Sequence, residues 1–271
     1  MTTEFVASVE GAEAETMFAY ESSPAPDVRE RLGLAAARIG GGVVLSVRHD
    51  PSGYWSKALG FGFTEPVTPD LVDRIIGFYR SEGTPSAVIQ IAPAVLPSGW
   101  EEIRRAFGLE PAGSWIKLAA PVEAVRPAGG TRLRVAPVEA ADFDEWAQVL
   151  LRGFGMPTEG LDQMISGAVR NPAFRPYGVW DGSDLVGVGN LFIHGSVAAL
   201  SAGTVLPDHR NQGAQSALIT ARAEAARAAG CRWLVAETGR PAPGERNPSL
   251  DNLVRAGLTV RYARQNWRWH A

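Results

Sequence analysis

The chain has 271 residues, of which 45% are hydrophobic and 20% are charged, and its formal net charge is -3. This balance is typical of a soluble globular protein, and it excludes a strongly basic nucleic-acid-binding chain. No apolar run approaches the roughly 18 residues that a membrane-spanning helix needs. The first residues, MTTEF, do not begin a secretory signal, and the single cysteine, Cys231, excludes an internal disulfide. We therefore expect a cytoplasmic protein without membrane or nucleic-acid partners.

The acidic residues are concentrated in the first half of the chain. Residues 1–120 contain 15 acidic and 10 basic residues, whereas residues 121–271 contain 14 acidic and 16 basic residues. This difference is too small to indicate nucleic acid, but an anionic cofactor is compatible with the second half.

The first half contains helix and strand patterns from residue 68 onwards. Thr68, Pro69 and Asp70 predict the start of a helix that runs to about residue 82. A strand over 87–91, a helix over 98–107, the pair Gly108-Leu109 and a strand over 114–118 follow. The segment 119–131 is rich in Ala, Pro and Gly, which predicts a linker.

The second half contains a longer series of elements. The pattern predicts a strand at 133–136, helices at 140–152 and 161–169, a hairpin of 177–180 and 184–193, and a strand at 196–206. A helix over 217–229 that ends at Gly230, a strand over 232–237, a helix over 248–256, Gly257-Leu258 and a strand over 259–269 complete the chain. The order helix, Gly, strand, loop, helix, Gly-Leu, strand therefore occurs twice, which predicts two related domains at 1–118 and 132–271.

The segment 205–218, VLPDHRNQGAQSAL, is the most informative part of the sequence. It predicts the end of an apolar strand, a polar turn with Gly213, and the start of a long helix. Backbone N–H groups at the start of a helix have no partner within it and attract anions. The segment resembles the R-x-x-G-x-G/A pyrophosphate loop of GNAT-type N-acetyltransferases, with Arg210 and Gly213 in place and Gln215 where a second Gly or Ala is usual.

The resemblance implies the fold and the cofactor, acetyl-CoA, as co-substrate. It implies an α/β (α+β) protein of two GNAT-like domains, each a mixed, mostly antiparallel sheet flanked by helices. In the C-terminal domain a parallel strand pair would splay to admit the pantetheine arm. The residues implied in cofactor binding are Thr204, Val205, Leu206, Arg210, Asn211, Gln212, Gly213, Ala214, Gln215, Ser216 and Asn247.

Several of these residues have an ordinary structural alternative. Arg210 is either a phosphate partner or a surface arginine, and Ser216 either donates to phosphate or caps the helix. Asn247 precedes a proline, so a turn explains it as well as a pantetheine contact does.

Three groups are candidates for catalysis. The backbone N–H of Val205 would face the thioester oxygen, and Glu237, at a strand end, would take the proton of the amine. Its alternative is an ion pair with an arginine such as Arg240. The family often has a general-acid tyrosine where this chain has Leu253, so Tyr262 is the nearest substitute, and water is another.

The first domain lacks the phosphate loop. The corresponding segment, FGFTEPVTP over 61–69, contains Glu65, which would repel a phosphate, and prolines, which have no N–H to offer it. We therefore expect cofactor binding on the second domain alone, with no metal, because no Cys/His spacing for zinc is present.

The expected function is transfer of an acetyl group from acetyl-CoA to a primary amine of a small molecule in a ternary complex. Other acyl transfers known for tandem GNAT proteins, such as thiol-precursor acetylation or aminoacyl transfer from tRNA, remain alternatives, although the acidic chain speaks against tRNA. A non-catalytic acyl-CoA-binding module and a decarboxylase of malonyl-CoA are further alternatives. A homodimer is also an open possibility.

Overall fold

The computed structural model describes residues 2–126 and 130–271. Its internal contacts divide the chain into two units, Met1–Trp115 with Tyr262–Ala271, and Ile116–Arg261. Among the helices of the described residues, none has the length and apolar character to cross a membrane.

The first unit contains four helices around a sheet. The helices are α1 (Thr3–Ser22), α2 (Pro26–Leu32), α3 (Pro69–Ser81) and α4 (Trp100–Ala106), and the strands are β1 (Leu34–Ile39), β2 (Gly42–Val47), β3 (Lys57–Leu59) and β4 (Ser86–Gln90). β11 (Thr259–His270) lies antiparallel to β4, so the strand order is β1-β2-β3-β4-β11. Only β3 and β4 are parallel among the pairs of this series.

Helix α3 shows why this unit folds locally as the sequence predicts. Thr68 Oγ1 accepts from the N–H of Leu71 at 3.2 Å, and Pro69 occupies the first helical turn, where its missing N–H costs nothing. Ile75, Tyr79 and their buried neighbours on one helix face pack into the core with Trp267 and residues of β2 and β4.

The second unit contains the remaining elements. β5 (Glu110–Pro121) begins in the first unit and ends in this one, and it is followed by β6 (Arg134–Pro137), α5 (Phe143–Phe154), α6 (Leu161–Ala168), β7 (Phe174–Asp181), β8 (Asp184–His194), β9 (Val197–Val205), α7 (Ala214–Ala228), β10 (Trp233–Gly239) and α8 (Pro248–Arg255). The strand order is β5-β10-β9-β8-β7-β6. β6 to β9 pair antiparallel, whereas β9 and β10 are parallel.

Helix α7 covers the sheet of the second unit. Leu218 packs against strands β6 to β9, and Ile219, Ala223 and Ala226 pack with residues of β9, β10 and α8. The many alanines of this helix allow close approach to the sheet, because an alanine side chain adds only a Cβ atom. The start of α7 is thereby fixed against the end of β9.

The predicted fold class is confirmed, because both units have a mixed, mostly antiparallel sheet flanked by helices. The predicted repeat is present as α3-β4-α4-β5 and α7-β10-α8-β11. Part of the predicted linker, residues 127–129, lies outside the described residues. The predicted boundaries at 118 and 132 stay predictions, and the contacts group the last ten residues with the first unit.

Candidate functional site

The parallel strands β9 and β10 separate part of the way along their length. Their pairing runs from Val197–Trp233 to Leu200–Ala236 and then stops. β9 nevertheless continues to Val205 and β10 to Gly239. The backbone edges of both strands beyond this point face a gap between them, as predicted for a splayed pair.

A bulge in β9 begins where the strands separate. The register with β8 shifts between Val188 and Asn190, and Ala202 has a positive φ of 56°. A bulge with its first residue in the left-handed region bends and twists a strand. The bend therefore lies within the divergent part of β9.

Backbone alternation places the Val205 amide on the open edge of β9. The N–H of Leu206 donates to Val186 O at 2.9 Å, on the β8 side. Because neighbouring residues in a strand present their backbone groups to opposite edges, the N–H and C=O of Val205 point away from β8. The Val205 carbonyl on that edge accepts from Arg210 Nε at 3.0 Å.

The loop after β9 turns sharply into helix α7. Asn211 has a φ of 61° and Gly213 has a φ of 81°. A Cβ at residue 213 would also lie 2.9 Å from the backbone oxygen of Gly130. A glycine is therefore required at position 213 for two reasons: the left-handed backbone conformation and the close approach of another chain segment.

The N-terminus of α7 has the features of an anion site. Its N-cap is Gly213, no side chain among the described residues caps it, and its first turn contains no acidic residue. The backbone N–H groups of the first turn, at Ala214, Gln215 and Ser216, have no acceptor within the helix. The dipole of this 15-residue helix adds partial positive charge at the same point.

The equivalent helix of the first unit, α3, is closed to an anion. Thr68 caps it, Pro69 removes one N–H, and Asp70 lies in its first turn. Glu65, in the preceding loop, is ion-paired with Arg74 of the same helix. A cavity of about 400 Å³ at this loop is lined by Glu65 and by seven residues without charge. The difference between the two helices supports a single anion site, on the second unit.

Arg210 supports the loop in this structure. Besides its bond to Val205, its Nη2 lies 3.5 Å from the Gly153 backbone oxygen, at the end of α5. Gly153 is in turn close to Thr204, since a Cβ at residue 153 would lie 2.5 Å from the Thr204 side chain. These contacts join β9, the loop and α5. Binding of a phosphate by Arg210 stays a prediction.

Other residues of the predicted loop are placed as follows. Gln212 Oε1 accepts from Arg132 Nε at 3.3 Å. Gln215 lies in the first turn of α7 with ordinary helical backbone, so its Cβ causes no strain. Ser216 is not the N-cap, because α7 begins at Ala214 instead of the predicted residue 217. The capping alternative for Ser216 is therefore wrong.

Glu237 lies at the mouth of the gap between β9 and β10. It is the first β10 residue beyond the last parallel pair, Leu200–Ala236. Its Oε1 is 2.6 Å from Lys117 Nζ of β5, and the two side chains are 12% and 1% exposed. Lys117 is a partner that sequence reasoning missed, and the role of Glu237 as a base stays a prediction.

The position of the expected general acid and its predicted substitute belong to different units. Leu253, which stands at the position of the expected tyrosine, is buried in the core of the second unit, and a leucine side chain has no proton to donate. Tyr262 belongs to the first unit, where its hydroxyl donates to Glu10 Oε1 at 2.6 Å. Burial, reinforced by Glu10, raises the pKa of Tyr262 well above its ordinary value.

Asn247 connects the end of β10 to the start of α8. Its Oδ1 accepts from the N–H groups of Ser249 and Leu250, at 2.9 and 3.2 Å. Its Nδ2 donates to Thr238 Oγ1 and to Gly239 O, at 2.9 and 2.7 Å. These bonds give Asn247 the structural role of an N-cap, and a contact with pantetheine stays a prediction.

The comparisons with known proteins agree with this geometry. The model of the acetyltransferase (GNAT) family matches residues 141–244, which include β7 to β10 and α7. Residues 141–244 are therefore similar in sequence to GNAT acetyltransferases. No curated protein matches the chain.

Solved structures have a similar fold over nearly the whole chain. A GCN5-related N-acetyltransferase from Kribbella flavida superposes with a TM-score of 0.65 at 13% identity, over 96% of this chain and 95% of the other. A tandem GNAT protein from the clavulanic acid biosynthesis pathway gives 0.60 at 14% identity, over 97% and 95%. A GCN5-related N-acetyltransferase from Sphaerobacter thermophilus gives 0.60 at 13% identity, over 74% and 66%. The chain therefore has the fold of a tandem GNAT protein.

Proposed function

We propose that the protein transfers an acetyl group from acetyl-CoA to a primary amine of a small molecule. The observation that carries this proposal is the uncapped N-terminus of α7 directly after the gap between β9 and β10. A diphosphate would bind the N–H groups of residues 212–216, and the pantetheine arm would lie along residues 204–206 of β9. GNAT proteins generally use acyl-CoA, and acetyl-CoA is the co-substrate we propose for this chain.

The reaction would proceed by direct attack in a ternary complex. The amine nitrogen forms a bond to the thioester carbon, the carbon–sulfur bond breaks, and CoA leaves as a thiolate. The Val205 N–H would stabilise the developing oxyanion. Glu237 would accept the proton of the amine, directly or through one water, while the thiolate takes a proton from solvent.

A non-catalytic acyl-CoA-binding module is the second candidate. Two observations favour it: Leu253 is buried where the family often has a tyrosine, and the Tyr262 hydroxyl is bonded to Glu10. Both candidates require acyl-CoA binding, and only the first requires turnover.

Calorimetric titration with acetyl-CoA tests the site. We expect one acetyl-CoA per chain, and we expect Gly213→Ala to raise the Kd by at least about tenfold, because an alanine there is strained and approaches the Gly130 oxygen. Gly230→Ala is the matched control. Gly230 also has a positive φ, of 74°, but a Cβ there meets nothing within 4 Å, so the Kd should stay unchanged.

A panel of amines, with free thiol as the readout, then separates the two candidates. Amine-dependent release of CoA supports the acetyltransferase, whereas tight binding without release supports the binding module. A wild-type protein that binds no acetyl-CoA would refute both. A second bound acetyl-CoA would show that the first unit also binds the cofactor.

A further inference from the structure

An arginine that bonds to backbone carbonyls is buried at the bulge of β9. Arg222, on α7, is 2% exposed, and among the described residues no carboxylate forms an ion pair with it. Burial lowers its pKa to about 10. A buried charge of this kind is costly unless hydrogen bonds compensate for it, so its partners indicate what it does.

The partners of Arg222 are backbone carbonyls on two neighbouring strands. Its Nη1 donates to Asn190 O of β8 at 3.0 Å and to Ser201 O of β9 at 3.2 Å. Its Nε donates to Leu218 O, one turn earlier on α7, at 3.0 Å. The planar guanidinium thus bridges α7, β8 and β9, which a lysine ammonium on its flexible stem does less well.

A glycine makes room for the guanidinium. A Cβ at residue 189 would lie 2.8 Å from the Arg222 guanidinium carbon, closer than a side chain tolerates. Gly189 lies at the bulge between β8 and β9. The sheet is therefore shaped around this side chain at the bulge.

The carbonyl that Arg222 holds on β9 lies where β9 leaves β10. Leu200 is the last β9 residue paired with β10, Ser201 follows it, and Ala202 has the positive φ of the bulge. Asn190 Nδ2 also donates to Ser201 Oγ at 3.1 Å, so Ser201 is held through both its backbone and its side chain. Together these bonds fix the start of the divergent segment.

We propose that Arg222 is a positioning residue for acyl transfer, which fixes the bulge of β9 and thereby the direction of the backbone at residues 203–205. This inference rests on the proposed function, because those residues are the ones that would bind the pantetheine arm and face the thioester oxygen. Arg222 lies eight positions after the first residue of α7, so it is separate from the anion-binding first turn.

Amide hydrogen exchange of the ligand-free protein tests the positioning directly. In Arg222→Met we expect exchange at residues 201–205 to rise about tenfold or more, while peptides from β7 and α8 stay unchanged. Arg222→Lys keeps a charge and should give an intermediate result. Arg227→Met is the control, because Arg227 lies on the same helix but is only half-buried and pairs with Glu123. Unchanged exchange at 201–205, or an equal rise throughout the second unit, would overturn the proposal.

Binding and turnover then test the consequence for the reaction. We expect Arg222→Met to change the Kd of CoA by less than about threefold, but to lower the rate of acetyl transfer by about 30-fold or more, with partial recovery in Arg222→Lys. Wild-type rates in folded Arg222→Met would also overturn the proposal. If the wild-type protein binds no acetyl-CoA, the proposed function fails and the acyl-transfer role fails with it, whereas the exchange experiment still decides whether Arg222 positions β9. Should Arg222→Met not fold, Arg222→Lys carries the same comparisons.

Discussion

At the scale of single residues, Glu237 has two separable roles. It is the proposed base, and its 2.6 Å contact with Lys117 is a largely buried ion pair. Removing one partner of a buried pair leaves an uncompensated charge, at a cost of about 3–5 kcal/mol. We therefore expect Glu237→Gln to lose both activity and stability, the latter measured by denaturant unfolding.

A double variant separates the two roles. In Lys117→Met/Glu237→Leu both charges are replaced by apolar groups, which is often neutral for stability. We expect wild-type-like unfolding, unchanged acetyl-CoA binding and no acetyl transfer. Activity in this stable double variant would remove Glu237 from the mechanism.

Glu21, in the first unit, illustrates a buried acid whose effect depends on pH. It is fully buried, and neither carboxylate oxygen has a hydrogen-bond partner among the described residues. Burial raises the pKa of Glu21 well above its ordinary value, and the smaller effect of Lys57 opposes this rise. The stability that the neutral form contributes is therefore complete below the ordinary glutamate pKa and is lost as the pH rises through the raised pKa.

The prediction concerns Glu21→Gln, which stays neutral at every pH. Its Tm relative to the wild type should rise between pH 5 and pH 8, because only the wild type then loses stability through this group. Glu4→Gln, an exposed position on the same helix, is the control and should show no such trend. Parallel Tm curves for Glu21→Gln and the wild type would contradict the prediction.

At the scale of elements, the sequence predicts helix boundaries best where capping and turn residues mark them. The boundaries of α3 and α8 agree with the prediction because Thr68 and Asn247 cap them, and glycines follow α7 and α3. The start of α7 is three residues earlier than predicted, since its N-cap is a glycine, which can equally be read as part of the turn.

Elements without a clear hydrophobic pattern were not predictable. Helix α1 is the longest in the chain, yet it is built mainly of alanine, glutamate and other small or polar residues, so no apolar stripe stands out. The short strand β3 has only three residues, fewer than an alternation pattern needs. The partners Lys117 and Arg222 were missed because contacts between distant segments leave no local pattern. The Glu237–Lys117 pair, for example, spans 120 positions.

At the scale of the whole molecule, the last strand of each repeat ends in the other unit. β5 is the last strand of the first repeat, yet its residues 116–121 belong to the second unit. β11 is the last strand of the second repeat, yet its residues 262–270 belong to the first unit. In the first unit, β11 pairs with β4 from Ser86–His270 to Gln90–Asn266. The sheet of each unit therefore includes part of a strand that comes from the other repeat.

The end of the chain also completes the core of the first unit. Arg264 is 1% exposed, is ion-paired with Glu10 of α1, and lies 2.7 Å from Glu13. Trp267 and Trp269 pack in the main apolar cluster of that unit. Removing these residues would leave Glu10 buried without its arginine and would expose a cavity lined by β4 and α3.

A chain that ends at residue 261 should consequently lose the fold of its first unit. Because β4 loses its antiparallel neighbour and Glu10 loses Arg264, we expect α1 and β4 to lose their protection from hydrogen exchange, although their own sequences are intact. Deletion of Ala271 alone, which removes one backbone bond to Pro85, is the control and should leave the protection unchanged. Full protection of α1 and β4 in the shortened chain would show that the first unit is independent of the last strand. A loss of protection confined to residues 2–115 would instead establish that the folding of the first unit requires the last residues of the chain.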